Sequence, residues 1–282
     1  MLALGPSFAA ERYVSDVLEG FLNAASSRAA VRAYCVGLLA TTPETLRARL
    51  GAVAEYVGGK CMGYPAVWFL ERILQEEPEA IVERCRAPLC LSLSTSIVDD
   101  LADGDEPLGP EYLAYLYILI GQAASTGCGA DTLARLHRAI ETCLDPKPAA
   151  NAHVAERRGD RIGAFFAMIA ETAVAQRLPS ARALIAIEAT ARFGEICAHI
   201  DDWMDAQRDL YRGATENIAL TLLREKLDFM PVQSTDLALH GAWLDTRMHV
   251  LLATRIQHAI ALADSAGFAQ ASRALAALLH SA

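Results

Sequence analysis

Long apolar runs are missing from this 282-residue chain. The most apolar stretch, YLAYLYILIGQAAS at 112–125, falls short of the roughly 18–20 residues that span a bilayer, so it reads as a buried helix and no membrane span is expected. No run of Lys or Arg is dense enough to track a phosphate backbone, and the formal net charge is -9. That balance argues against nucleic acid and against anionic membrane surfaces as partners. The seven cysteines, at 35, 61, 85, 90, 128, 143 and 197, include no Cys-x-x-Cys pair. They sit mostly among apolar neighbours, the pattern of reduced core thiols. The opening MLALGPSFAAERY has no basic region, no long apolar run and no cleavage signature, so a signal peptide is not expected and a cytoplasmic location is. A Gly-x-Ser-x-Gly elbow, a Gly-rich P-loop and a dinucleotide fingerprint are all absent, which leaves hydrolase, kinase and nicotinamide chemistry without support.

Strand patterning is lacking as well. No segment alternates Val, Ile and Thr with polar residues between hairpin turns; apolar residues, led by Ala and Leu, recur instead at helical spacing, which predicts an all-α fold. Breaks fall at Thr41-Thr42-Pro43, near Gly58-Gly59, at Glu77-Pro78, between Asp103 and Pro110, at Gly127-Cys128-Gly129, from Asp145 to Pro148, at Leu178-Pro179 and at Met230-Pro231. They divide the chain into about ten helices with short connections. With 53% hydrophobic and 21% charged residues a sizeable core is available. Without a linker, a compositional shift or a fixed-period repeat, residues 1–282 read as a single domain. The segments 149–177 and 180–212 are apolar on more than one face, as central helices of a bundle that line a cavity would be.

Against this apolar background two acidic segments stand out. SIVDDLADGDEP at 96–107 places Asp99, Asp100, Asp103, Asp105 and Glu106 behind an apolar helical run, where the negative end of the helix dipole and the carboxylates repel one another. About a hundred residues on, FGEICAHIDDWMDAQRDLYRG carries Asp201, Asp202, Asp205 and Asp209. Positions 201, 205 and 209 stack on one helical face, and 99 with 103 repeats the spacing. A solvated acidic loop is the plain reading of either segment taken alone. Two of them, each fed by an apolar helix, suggest carboxylates that need a cation. A hard divalent ion fits, Mg2+ above all, because the His/Cys spacing of zinc sites and the EF-hand pattern are absent and magnesium takes a few carboxylates with phosphate oxygens and waters. His199 lies two residues before Asp201, so it is read as a core histidine. Arg208 and Arg212 could reach a pyrophosphate or pair with neighbouring acids. Thr215 and Asn217 read as the cap of the next helix.

From about Gly58 to Leu223 these residues resemble the trans-isoprenyl diphosphate synthase and class I terpene synthase superfamily. VDDLADGD is similar to its first aspartate-rich motif and IDDWMDAQRDLYRG to its second; Gly58-Gly59-Lys60 resembles the start of its Gly-Gly-Lys-Arg segment, and Asp160-Arg161-Ile162-Gly163 stands where it carries Lys-Thr-Gly. The resemblance implies an isoprenoid-synthase helical bundle around a central cavity, commonly a homodimer. It implies three Mg2+ ions bound with the diphosphate and held by Asp99, Asp100, Asp103, Asp201, Asp202 and Asp205, with Arg161 and Arg208 on the diphosphate and Lys60 a substrate-binding remnant of the family's basic set. The chemistry implied is metal-assisted ionisation of a prenyl diphosphate to an allylic cation.

The basic residues with which chain-elongating members hold isopentenyl diphosphate are replaced here by Cys61-Met62-Gly63, Ser92 and Pro107-Leu108, so the ionising half of the site looks kept and the isopentenyl half lost. Intramolecular capture of the cation, terpene cyclisation, is the first expectation. Transfer to an acceptor other than isopentenyl diphosphate is the second, and ordinary chain elongation the third. Trp68, Phe69, Phe165, Phe166, Phe193 and Trp203 could offer ring faces to a cation, with core packing as the plainer reading. The small Ser94 and Thr95, one turn before the first motif, suggest a pocket deep enough for a farnesyl or longer chain. A non-catalytic partner subunit would show damaged aspartate motifs, and both are intact.

Overall fold

The computed structural model describes residues 24–60, 63–103, 109–126, 134, 152–213, 217–228 and 230–280. Among the described residues there are eleven helices and no strands, and 85% of those residues are helical, as the periodicity predicts. By internal contacts the chain divides into two compact units. The first takes its described residues from 24–134 and 165–190, the second from 152–164 and 191–280.

In the first unit lie α1 (Ala25–Gly37), α2 (Glu44–Gly58), α3 (Tyr64–Leu74), α4 (Pro78–Arg84), α5 (Arg86–Asp103) and α6 (Pro110–Ser125). Prolines set several of the starts: Pro43 precedes α2, Pro78 opens α4 and Pro110 opens α6, positions where a missing N–H costs nothing. Helix α1 packs against α2, α3 and α4, while α6 packs against α5 and α2. The break at Gly58 has a packing cause. A Cβ there would stand 2.9 Å from Arg32 Cα and 3.2 Å from Cys35 Cβ, so only glycine lets α2 approach α1 this closely.

Helix α5 is the apolar spine of this unit. Leu89, Cys90, Leu91, Leu93 and Ile97 are fully buried, and two of the hydroxyls between them bond back into the helix. Ser94 Oγ donates to Cys90 O at 2.7 Å and Thr95 Oγ1 to Leu91 O at 3.0 Å, the back-bonding open to short hydroxyl side chains in a helix. Tyr115 of α6 donates its hydroxyl to Cys35 O at 2.9 Å, and Tyr34 Oη meets Cys90 Sγ at 3.2 Å.

Cys35, Cys85 and Cys90 are free, buried thiols. Burial pushes them up, Cys35 and Cys85 to about 12 and Cys90 to about 11. The thiolate is the reactive form, so these groups should be inert in the folded protein. At about pH 8, where an ordinary thiol is partly ionised, iodoacetamide should leave all three unlabelled in native protein and label all three in urea; peptide mass spectrometry reads the difference.

The second unit contains α9 (Ile218–Lys226), α10 (Ser234–Ser265) and α11 (Ala269–His280). Two further helices, α7 (Ala152–Val174) and α8 (Ser180–Arg212), contribute a stretch to each unit. Helix α10 packs against α9 and α11. It opens with a capping box in which Gln233 and Asp236 satisfy one another's backbone amides, the reciprocal arrangement that fixes a helix start. No described helix is long and apolar enough to cross a membrane.

Candidate functional site

Of the residues predicted for the first aspartate-rich segment, Asp99 and Asp103 belong to α5 but their side chains lie outside the described residues, as does that of Arg161 on α7. Asp100 is described and buried. Both of its carboxylate oxygens accept from Lys60 Nζ. Lys60 also stands 5.0 Å from the centroid of the Tyr56 ring, which itself meets Tyr112 edge-on at 6.0 Å. The Gly58-Gly59-Lys60 turn at the end of α2 therefore delivers a cation to the first acidic segment. Burial works against the charge on Lys60, but the hydrogen bond and negative charge of Asp100, aided by Tyr56, outweigh it and hold the lysine above its ordinary value of 10.5.

A group raised on folding stabilises fully below its unfolded pKa and loses that contribution as pH rises through the folded one. The Lys60–Asp100 pair thus holds throughout the neutral range and fades only above the ordinary lysine value. Lys60→Met should lower stability by about 1–3 kcal/mol at neutral pH by removing the cation from a buried carboxylate, as urea denaturation will show.

The second segment lies on α8. Its four aspartates do different work although they fall within nine residues. Asp201 is exposed, Asp205 half-buried, and Asp202 and Asp209 buried. Asp202, 1% exposed, accepts the Ile218 amide on Oδ2 at 2.8 Å, and its backbone carbonyl accepts from Asn217 Nδ2 at 2.6 Å. Asn217 Nδ2 also donates to Asp209 Oδ2 at 2.8 Å, while Asn217 Oδ1 takes the Leu220 amide at 3.0 Å. Asn217 is the expected cap of α9. Beyond capping, it ties that helix to the two buried aspartates of α8.

Asp205 pairs with Arg208, whose Nε also lies 4.0 Å from Asp209 Oδ1. Of the two readings open for Arg208, the structure shows the ion pair. His199 is fully buried, as a core histidine should be.

The aromatic side chains named from the sequence are core residues here: Phe69, Phe166 and Phe193 are fully buried, and Phe165 and Trp68 nearly so. Trp68 carries Arg72 over its ring at 3.8 Å. Trp203 donates Nε1 to Asp245 Oδ1 at 3.1 Å and packs edge-on against His249 at 4.9 Å. Thr95 is buried with its hydroxyl bonded into its own helix.

Sequence reasoning passed over Glu195 and Arg255. Glu195 Oε1 accepts from Arg192 Nη1 and Glu195 Oε2 from Arg255 Nη1, each at 2.7 Å. With its side chain 5% exposed, the carboxylate is clamped between two guanidinium groups. The signal was present: a lone Glu inside the apolar run ARFGEICAHI. Gly163 belongs to the same packing, for a Cβ there would meet Ala191 O at 2.8 Å and Glu195 Cγ at 3.1 Å. The glycine of Asp160-Arg161-Ile162-Gly163 is thus required by the close approach of α7 to α8.

Among the described residues no three His, Cys, Asp or Glu side chains converge where they could hold a metal. The donor chemistry is nevertheless that of a hard cation: aspartates alone, with Asp100 and Asp205 each paired to a cation of the chain itself. Magnesium is bound through one or two carboxylates completed by waters and substrate oxygens rather than in an all-protein cage. Comparison with family models, with curated proteins and with solved structures finds no match to this chain.

Proposed function

We propose that the chain is a magnesium-dependent class I terpene synthase that ionises a prenyl diphosphate, farnesyl or longer, and closes the resulting cation on itself with release of pyrophosphate. The observation that supports this reading is the pair of aspartate-rich segments, each at the end of an apolar helix stretch and each neutralised by a basic side chain of the same chain: Asp100 by Lys60, Asp205 by Arg208. On the strength of the resemblance, Mg2+ would be held by Asp99, Asp100 and Asp103 of the first segment and by Asp201, Asp202 and Asp205 of the second. When bound with the diphosphate it supplies Lewis-acid stabilisation of the departing pyrophosphate. Lys60 and Arg208 have two uses in this scheme. Without substrate they neutralise the carboxylates; with it they are within the same segments to donate charge-assisted hydrogen bonds to phosphate oxygens, joined by Arg161. Asp202 and Asp209 position the segment through Asn217 and hold the start of α9. No side chain acts as a nucleophile.

A second reading keeps the ionisation and changes the fate of the cation: transfer of the prenyl group to an acceptor other than isopentenyl diphosphate. IDDWMDAQRD favours it, being of the prenyltransferase kind rather than the Asn/Ser/Glu motif of many microbial cyclases.

Product analysis separates the readings. Protein with Mg2+ is given geranyl, farnesyl and geranylgeranyl diphosphate, each alone and then with isopentenyl diphosphate, and hexane extracts and phosphatase-treated aqueous phases go to mass spectrometry. A hydrocarbon or terpene alcohol from one diphosphate alone is the expected result. Pyrophosphate without such a product points to the acceptor reading. A longer prenol formed only with isopentenyl diphosphate overturns both.

A further inference from the structure

A groove of about 490 Å3 in the second unit lies between α9 and α10, outside both aspartate-rich segments. Its size falls in the range of small-molecule sites, roughly 300–1,000 Å3. From α9 come the apolar side chains of Ile218 and Leu222; from α10 come Val250 and Leu251, Val250 being 56% exposed. The charged lining is lopsided. Arg247, Arg255 and His258 share the lining with one acid, Glu225, and Arg255 is paired with Glu195 besides.

Arg255 is held in place from behind by the buried Glu195, so its guanidinium loses little freedom when it meets a ligand. Arg247 makes no hydrogen bond or ion pair among the described residues. Eight residues separate the two arginines on α10, about 12 Å along the helix axis, and Val250 and Leu251 occupy the interval. Cationic ends with an apolar middle suit an elongated ligand that has an anionic head.

We infer that this groove binds a small amphiphilic anion, a carboxylate or phosphate head on an apolar chain. The chain covers Val250 and Leu251 against Leu222, and an arginine takes the head, as the planar guanidinium does for either oxyanion. This inference is independent of the metal-diphosphate reading, since none of its residues belongs to either aspartate-rich segment.

Calorimetric titration of the full chain, without Mg2+, tests it with octyl phosphate, octanoate, octanol and inorganic phosphate. Saturable binding of octyl phosphate or octanoate is expected, with octanol and inorganic phosphate failing to saturate; whichever amphiphile binds more tightly identifies the head. Arg247→Ala and Val250→Asp, both at exposed positions, should each weaken that binding by about tenfold or more. The inference is overturned if neither amphiphile binds, if octanol binds as well as they do, or if both variants bind like the parent protein.

Discussion

Replacing Asp201 with Ala should cut magnesium-dependent pyrophosphate release about a thousandfold while leaving folding stability within about 0.5 kcal/mol of the parent. Asp201 is exposed on α8 and stands one turn from Asp205. Two like charges at that spacing destabilise a helix slightly, so removing one relieves a repulsion. The neighbouring Asp202 should behave in the opposite way. It is buried and holds the Ile218 amide at the start of α9, so Asp202→Ala should lower stability by about 1–2 kcal/mol, the usual loss for a helix-terminal bond. Urea denaturation and pyrophosphate release, measured on both variants, distinguish the roles. An Asp201→Ala protein that fails to fold would make the exposed aspartate structural and leave the metal reading without its principal residue.

Glu195→Ala should be the more damaging change to the fold, at about 2–4 kcal/mol. The carboxylate is nearly inaccessible, and its removal leaves Arg192 and Arg255 facing one another without their counter-charge. Their side chains retain 31% and 18% exposure, so water recovers part of the loss, and the figure sits below that for a fully buried triad. Adding Arg192→Met to Glu195→Ala should return some stability, since one stranded cation then remains instead of two. Equal stability of the single and double variants would show that the two arginines do not repel each other as the geometry requires.

What the sequence made legible follows the range of the interactions involved. Helix starts were local matters: Pro43, Pro78, Pro110 and Asn217 each set a backbone condition within a few residues of themselves, and the expected breaks fall there. Helical periodicity likewise exposed the apolar spine of α5 and the core placement of His199. The break between α4 and α5 at Cys85 and the left-handed Gln75 that ends α3 carry no Gly or Pro, and they went unseen.

Long-range partners were the hidden part. Lys60 meets Asp100 across 40 positions, Trp203 meets Asp245 across 42 and Glu195 meets Arg255 across 60. Residue type alone does not pick a partner at that distance. The four aspartates of α8 look alike in the sequence, and only the return of the chain at Asn217 separates the exposed Asp201 from the buried pair that anchors α9. The glycines at 58 and 163 could be matched to a motif from the sequence. That each marks a helix–helix approach too tight for a Cβ required the fold.

The central claim, that this chain ionises a prenyl diphosphate with magnesium, is tested most directly by following pyrophosphate release from geranyl, farnesyl and geranylgeranyl diphosphates. The account predicts saturable release from farnesyl diphosphate or a longer substrate, abolished by chelating the metal and lost in Asp201→Ala. Absence of release from all three substrates in the presence of Mg2+, or release that Asp201→Ala leaves unchanged, would contradict it.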